Sequence, residues 1–381
     1  MKLSEELKER GLIYQSSPED ASVILDEGVR TVYLGIDPTA DAIHVGNLVP
    51  YMLLNHLLNA GHKAIIVLGG GTALIGDPSG KDTEREFVDE SVVKERCEKM
   101  KKNVRALTAS KEITFVNNHD WLSKLDMIEF LRDVGKYFTV NAMMKRDSVA
   151  TRLASESGIS FTEFSYALLQ SYDYYHLHTK YGCDLQIGGS DQWGNIVSGI
   201  DYIRRRTGNE VYGLTLPLVI DSATGKKFGK SMGNAVWLDK EKTTPYDFYQ
   251  FWFNTSDENV VLYLKMFTFL PLEEIREIEV AFKAHPGDRL AQRLLAEEVT
   301  RFVHGEDVVI ERPTLRLASG TSLLEGVLTS GLASSKREAR EFITGGAVTI
   351  DGEKMTDPDA LLRAGVLQRG KKKQNQVTIE L

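Results

Sequence analysis

The sequence predicts an α/β protein in which a parallel-sheet domain is followed by a helical segment and a small α+β segment. Three observations carry this. Two apolar runs, Thr31-Val32-Tyr33-Leu34-Gly35-Ile36 and Lys63-Ala64-Ile65-Ile66-Val67-Leu68, flank a stretch of helical periodicity from Leu48 to Leu58. That is the strand–helix–strand unit of a parallel sheet. From Thr244 to about Val309, Tyr, Phe and Leu recur at helix spacing. After Ser322 the pattern changes again, to two short helices and two short strands.

The first strand ends in the turn signal Asp37-Pro38, and the helix after it stops near Gly61. The second strand runs into Gly69-Gly70-Gly71. Lys124 to Leu169 reads as a mostly helical insertion between strands. Asp184-Leu185-Gln186-Ile187 and Leu216-Pro217-Leu218-Val219-Ile220 read as later strands. The expected domains are 1–222, with the sheet and the insertion, a helical domain 223–312, a linker 313–321 built on Glu311-Arg312-Pro313-Thr314 and Ser319-Gly320, and a terminal domain 322–381. In the last, Ser322 to Leu328 and Ser335 to Phe342 read as helices, and Ala347 to Ile350 and Gln376 to Ile379 as strands.

Composition narrows the class. At 381 residues, 42% hydrophobic and 26% charged, the chain has length for two or three cored domains. Two cysteines, Cys97 and Cys183, form neither a disulfide framework nor a metal-ligand spacing. The polar helical start Met1 to Arg10 is no signal region, and no apolar run reaches the roughly 18 residues that span a bilayer. A reducing, cytoplasmic setting without a membrane is expected. The net charge of −8 excludes coating of nucleic acid by bulk charge. From Arg316 onward, however, ten Lys or Arg face eight Asp or Glu, so a local basic surface is compatible with RNA.

Gly-Lys steps such as Gly80-Lys81 and Gly229-Lys230 invite a P-loop, which needs Gly, four residues, then Gly-Lys-Ser/Thr. Thr224 occupies the first glycine position before Gly229-Lys230-Ser231; Ile75 and Asp82 break the pattern around Gly80-Lys81. Two other segments remain. In Asp37-Pro38-Thr39-Ala40-Asp41-Ala42-Ile43-His44-Val45-Gly46-Asn47-Leu48, His44, Asn47 and backbone amides meet at a helix start, which suits an anion. Gly46 leaves room for a ligand, and Pro50 falls in the first helical turn. In Lys226-Lys227-Phe228-Gly229-Lys230-Ser231-Met232-Gly233-Asn234 a glycine-rich loop carries lysines three apart, a means of bringing cations onto a departing pyrophosphate. Taken singly, the first also fits a capped helix and the second a solvated basic loop.

Together, in this order and about 180 residues apart, the two segments resemble the HIGH and KMSKS signatures of class I aminoacyl-tRNA synthetases. The detailed resemblance is to the bacterial type of tyrosyl-tRNA synthetase, and it runs over nearly the whole chain: Tyr33 to Asp41, Gly69 to Lys81, Tyr166 to Asp173, Gly188 to Asn195 and the lysine loop. Asn47 stands where the generic signature has a second histidine, and Phe228-Gly229 replace Met-Ser.

The resemblance implies a Rossmann-like catalytic domain, a helical anticodon-binding domain, and a tail of the RNA-binding type shared with a small-subunit ribosomal protein. It implies activation of L-tyrosine by ATP with Mg²⁺, no prosthetic group and no protein metal site, transfer to tRNA(Tyr), and a homodimer with its interface near Lys136 to Asn141. Tyr33 and Asp173 would bind the substrate phenol, and Asp77, Tyr166 and Gln170 its ammonium, with Gln192 near its carboxylate. Gly35, Asp37, Gly46, Asn47 and Asp191 would hold the nucleotide, Asp191 at the ribose. Thr39, His44, Lys81, Arg85, Lys227 and Lys230 would grip the phosphates. In the tail, Lys336, Arg337 and Arg340 would meet RNA.

The residues agree with these roles. Tyr166, Gln170 and Asp173 are spaced to share one helix face. A site that bonds a hydroxyl rejects the analogue lacking it by roughly 10⁴ to 10⁵. Gly188-Gly189-Ser190-Asp191-Gln192-Trp193-Gly194-Asn195 follows an apolar strand, as ligand loops do at the carboxyl end of a parallel sheet. His176 and His178 alternate as on a strand or turn and are read as packing or surface residues. Two rivals remain: a tryptophanyl-tRNA synthetase, against which the Tyr33–Asp173 pair favours a phenol over an indole, and a non-catalytic RNA-binding relative, against which His44, Lys81, Asp191, Lys227 and Lys230 speak.

Overall fold

The computed structural model describes residues 1–79, 88–108, 112–155, 158–219, 228, 230–231, 234–308, 310–312, 314–333, 335–370 and 376–381. In chain order the elements begin α1 (Leu3–Glu9), β1 (Gln15–Ser17), α2 (Ala21–Leu25), β2 (Thr31–Ile36), α3 (Leu48–Asn59), β3 (Lys63–Leu68), α4 (Glu90–Leu107) and β4 (Ile113–Asn117). Helices α5 (His119–Leu122), α6 (Met127–Asp133), α7 (Val140–Met144), α8 (Asp147–Leu153) and α9 (Phe161–Tyr181) precede β5 (Leu185–Gly189), α10 (Trp193–Thr207) and β6 (Tyr212–Leu216), and the two-residue strands β7 (Lys230–Ser231) and β8 (Asn234–Ala235) follow. The chain divides into two compact units, Met1–Asp239 with Ser256–Ala291, and Lys240–Thr255 with Gln292–Leu381.

The first unit holds a six-stranded sheet in the order β1-β6-β5-β2-β3-β4, parallel except for the antiparallel edge strand β1. Strand β2 lies between β3 and β5: the connection after β2 runs to β3 on one side, and the connection after β5 runs to β6 on the other. Such a switch point opens a crevice for ligands. Strand β3 is buried along Ala64 to Leu68, as befits a sheet covered on both faces. Helix α3 is buried over most of its surface, with Leu48, Met52, Leu53, Leu54 and Leu57 fully enclosed. Helix α9 starts at Ser160, whose hydroxyl accepts from the Glu163 amide, and stops at Gly182 with φ of 66°. The expected insertion is this run of helices between β4 and β5.

Two sequence-based strand readings shift. The strand placed at Leu216 to Ile220 instead ends at Leu216, because Pro217 has no N–H to continue the ladder. His176 and His178 lie inside α9 rather than on a strand or turn. His178 Nδ1 is 2.8 Å from the Cys183 carbonyl, and His176 stacks on Trp121 at 4.3 Å between ring centroids.

The helical stretch after the sheet comprises α11 (Pro245–Phe253), α12 (Val260–Phe267), α13 (Leu272–Ala284) and α14 (Leu290–His304). It does not form the contiguous domain expected at 223–312. Helices α12 and α13 belong to the first unit. There the enclosed Arg10 guanidinium donates to the carbonyls of Lys265, Thr268 and Leu270 at 2.8–3.2 Å. Helix α11 belongs to the second unit with most of α14, where Phe248 meets His304 edge-on.

The second unit also contains β9 (Thr314–Arg316), α15 (Leu323–Thr329), α16 (Lys336–Thr344), β10 (Val348–Ile350), β11 (Glu353–Met355), β12 (Gly365–Arg369) and β13 (Gln376–Glu380). The strands form one sheet, β11-β10-β12-β13-β9, over a core that includes Leu323, Val327, Ile343, Val348, Leu367 and Ile379. The expected linker 313–321 is therefore partly structure: β9 pairs in parallel with β13, Leu315 opposite Ile379. Three residues with one half-buried leucine carry too little pattern to announce a strand.

Candidate active site

At the carboxyl end of β2 and β5 the first unit encloses a cleft of about 420 Å³, a size suited to a small ligand. Thirteen of the expected site residues line it: Tyr33, Gly35, Asp37, Thr39, His44, Gly46, Asn47, Asp77, Tyr166, Gln170, Asp173, Asp191 and Gln192. Lys81, Arg85 and Lys227 lie outside the described residues. Lys230 is described by its backbone, in a two-residue strand Lys230–Ser231 that pairs with Asn234–Ala235.

One end of the cleft is built around Asp173. Its carboxylate is buried and accepts from Trp121 Nε1 at 2.7 Å and Asn118 Nδ2 at 2.9 Å. Burial pushes its carboxyl up to about 7 against the pull of those donors, and the Asp37 charge adds to the rise. Tyr33 lies beside it, its ring 6.0 Å from that of Tyr174. Burial and the two aspartates hold the Tyr33 phenol well above its ordinary value, so it is an O–H donor. The ring folds over Gly35, two residues along the same strand face, where a Cβ would stand 3.1 Å from the Tyr33 hydroxyl.

A continuous chain of bonds links this end to a second polar group. Asn118 Nδ2 also donates to Thr72 Oγ1 at 2.9 Å, Thr72 donates to Asp37 at 2.8 Å, and the Tyr166 hydroxyl donates to the other Asp37 oxygen at 2.9 Å. Asp77 accepts from Gln192 Nε2 at 2.6 Å, and Gln170 Nε2 donates to the Gln192 carbonyl at 3.3 Å. Tyr166, Gln170 and Asp173 share the pocket-facing side of α9, as their spacing predicts. Asn118, Trp121 and Thr72 escaped the sequence reading. Asn118 and Trp121 follow β4, an edge strand of alternating polarity that was itself not recognised, and no motif marks them.

The opposite end is the start of α3. His44 caps a turn of 3₁₀ helix (Val45–Asn47) ahead of it, and its Nδ1 accepts from the Gly46 amide at 3.1 Å. That leaves the ring proton on Nε2. Gly46 faces the lysine segment: a Cβ there would fall 2.6 Å from the Phe228 carbonyl oxygen. Phe228 is itself buried against Tyr263 and Phe267. The two signature segments thus meet in space. Across the cleft, a Cβ at Gly189 would strike the Asp191 carboxylate at 2.6 Å, so glycine lets that carboxylate fold back over the strand end.

In the second unit, Lys336, Arg337 and Arg340 are exposed on α16, with Ala339 and Ile343 buried beneath. Arg337 lies 3.4 Å from Glu341, both well exposed. Among the described residues no group of three His, Cys, Asp or Glu is placed to hold a metal ion, and no helix is long and apolar enough to cross a membrane.

The family model for class I tRNA synthetases (W and Y) matches residues 26–311. That for the tyrosine–tRNA ligase SYY-like C-terminal domain matches 306–377. The tyrosine–tRNA ligase of Streptococcus mutans is 44% identical over 98% of this chain and 99% of its own length. Tyrosine–tRNA ligase 1 of Vibrio parahaemolyticus is 46% identical over 97% of each. The chain belongs to the tyrosyl-tRNA synthetases. Among solved structures, the C-terminally truncated mitochondrial tyrosyl-tRNA synthetase of Aspergillus nidulans superposes with a TM-score of 0.73 at 35% identity, over 80% of this chain and 91% of that one. The tyrosyl-tRNA synthetase of Archaeoglobus fulgidus, at 18% identity and a TM-score of 0.59 over 80% of this chain and 98% of that one, shares the fold.

Proposed function

We propose that the cleft of the first unit is where this tyrosine–tRNA ligase condenses L-tyrosine with ATP, and that the residues lining it act as follows. The observation that carries the reading is the buried Asp173, its two oxygens aimed by Trp121 and Asn118, in one cavity with His44. Asp173 accepts the phenolic proton of the substrate and Tyr33 donates to the phenol oxygen. Asp77, Tyr166 and Gln170 take the ammonium, and Gln192 lies by the carboxylate. Asp191 takes the ATP ribose, and Gly35, Asp37, Gly46 and Asn47 line the nucleotide. Asp37, through its bond to Tyr166, also adds negative charge on the ammonium side.

A tyrosine carboxylate oxygen attacks the α-phosphorus, and the bond from that phosphorus to the bridging oxygen breaks, releasing pyrophosphate. Thr39, His44 through Nε2–H, Lys81, Arg85, Lys227 and Lys230 stabilise the charge that develops on the phosphates. Mg²⁺ enters with ATP, held by phosphate oxygens and water. The terminal ribose hydroxyl of tRNA(Tyr) then attacks the carbonyl carbon of the adenylate, and AMP leaves. Lys336, Arg337 and Arg340 meet the RNA backbone through the tail.

Seven large apolar side chains exposed between Met127 and Phe161, among them Ile128, Val140 and Met144, support a homodimer formed on the helical insertion. The two cysteines, both free and buried, accord with a cytoplasmic setting. Tyrosine-dependent ATP–pyrophosphate exchange tests the site reading. Exchange with tyrosine, absent with phenylalanine and lowered about a hundredfold but still measurable in His44→Ala, is expected; equal exchange with phenylalanine overturns it.

A further inference from the structure

The segment that follows the lysine loop lies against His44. Val45 N–H donates to the Val236 carbonyl at 2.9 Å, and Leu238 N–H donates to the Ile43 carbonyl at 2.8 Å. These two bonds flank His44 and Trp237, which form an isolated antiparallel bridge. Because the bonds lie on either side of the pair, it is a non-hydrogen-bonded pair, the kind in which opposed side chains stand closest and on one face. The rings meet edge-to-face, centroids 6.0 Å apart at 77°, a favoured aromatic geometry. His44 is held extended by the bridge, at φ −109° and ψ 163°, and its Nδ1 is fixed by the Gly46 amide. Trp237 stands beside the ring and limits any swing away from the Gly46 bond.

We infer that Trp237 is a positioning residue for His44, holding the imidazole so that Nε2–H faces the phosphate end of the cleft. This rests on the reading of His44 as a catalytic residue of the activation step. The backbone bridge sets the residue's direction, and the indole removes the alternative ring orientations that truncation of Trp237 would open. Its effect therefore belongs to turnover rather than to tyrosine binding, which takes place at the Asp173 end.

The test is a double-mutant cycle on full-length protein, with kcat and the KM values for tyrosine and ATP measured in the exchange reaction. Trp237→Ala is expected to lower kcat about tenfold while the tyrosine KM stays within about twofold. Trp237→Phe, which keeps an aromatic edge, is expected to restore most of the loss. In the His44→Ala background, Trp237→Ala is expected to cost nothing further. Full multiplication of the two losses, an unchanged kcat in Trp237→Ala, or a loss appearing in the tyrosine KM overturns the inference. If Trp237→Ala does not fold, Trp237→Phe and Trp237→Leu carry the same comparison. An unchanged kcat in His44→Ala alone overturns the catalytic reading of His44 instead, which is a separate outcome.

Discussion

Asp173 shows how one residue can join specificity to pH. Its carboxyl, raised to about 7 by burial, is protonated in the empty site below that value and is then a weaker, uncharged acceptor for the phenol of the proposed substrate. The tyrosine KM is expected to rise as pH falls through about 7, and Asp173→Asn to flatten that dependence at a uniformly higher KM. A steady-state pH series on both proteins reads it directly. For folding the sign is opposite. The folded state keeps a proton that the unfolded chain loses near 3.8, so this group's contribution is full below 3.8 and lost as pH rises through about 7. Asp173→Ala is expected to cost about 2–3 kcal/mol of tyrosine binding, a loss of a charged hydrogen bond, while the ATP KM stays constant. Gly46→Ala makes the complementary case at the other end. Its Cβ would lie 2.6 Å from the Phe228 carbonyl oxygen, so His44 and the lysine segment must part. Exchange kcat is expected to fall roughly a hundredfold, a typical result of displacing a catalytic group by about an ångström.

At the scale of elements, what the sequence made legible follows burial. Strands β2 and β3 and helix α3 are apolar because both their faces are covered, and their periodicity announced them within a residue or two. Strand β4 is half-exposed at the sheet edge, and β1 reads Gln-Ser-Ser, so neither carries an apolar signal. The loss of β4 hid Asn118 and Trp121, because nothing local says that they reach Asp173 across some fifty residues. The ligand-facing stripe of α9, by contrast, lies at i, i+4 and i+7 and is visible at once. That helix is pinned by a buried bidentate pair: Arg152 of α8 donates to both Glu163 oxygens at 3.0 and 2.8 Å. Arg152→Met is expected to destabilise the protein by about 3–5 kcal/mol, since it leaves a buried carboxylate unpaired. Replacing Glu163 by Leu as well should recover much of this. Denaturant melts of the single and double variants check both.

At the scale of the whole molecule, the cleft is built entirely from residues of the first unit, whereas the exposed cations of α16 belong to the second. A chain stopped after Glu311 is expected to keep tyrosine-dependent pyrophosphate exchange and to lose most tRNA charging. Comparison of the two assays on that truncation and the intact chain decides it. The interleaving of the units also explains why domain limits were hard to place. Helices α12 and α13 pack with the N-terminal portion through Arg10, and only contacts that span some 250 residues reveal the affiliation. Sedimentation equilibrium is expected to give a dimer, and Ile128→Asp to shift it towards monomer.

Of the four carboxylates that line the cleft, Asp37, Asp77 and Asp173 stand apart from Asp191, the one assigned to the nucleotide. They greet the phenol and the ammonium of the proposed substrate, but they repel the group that must react. A bound amino acid therefore carries its carboxylate as the least comfortable part of the ligand, and that charge vanishes when the mixed anhydride forms. The repulsion is relieved along the reaction coordinate, which favours chemistry over idle occupancy. The same imbalance has a pharmacological corollary. A ligand with the phenol and ammonium of tyrosine but an alcohol or amide in place of the acid keeps the contacts to those two groups and sheds the repulsion, so competitive inhibitors for this pocket should be sought among reduced or amidated amino acids.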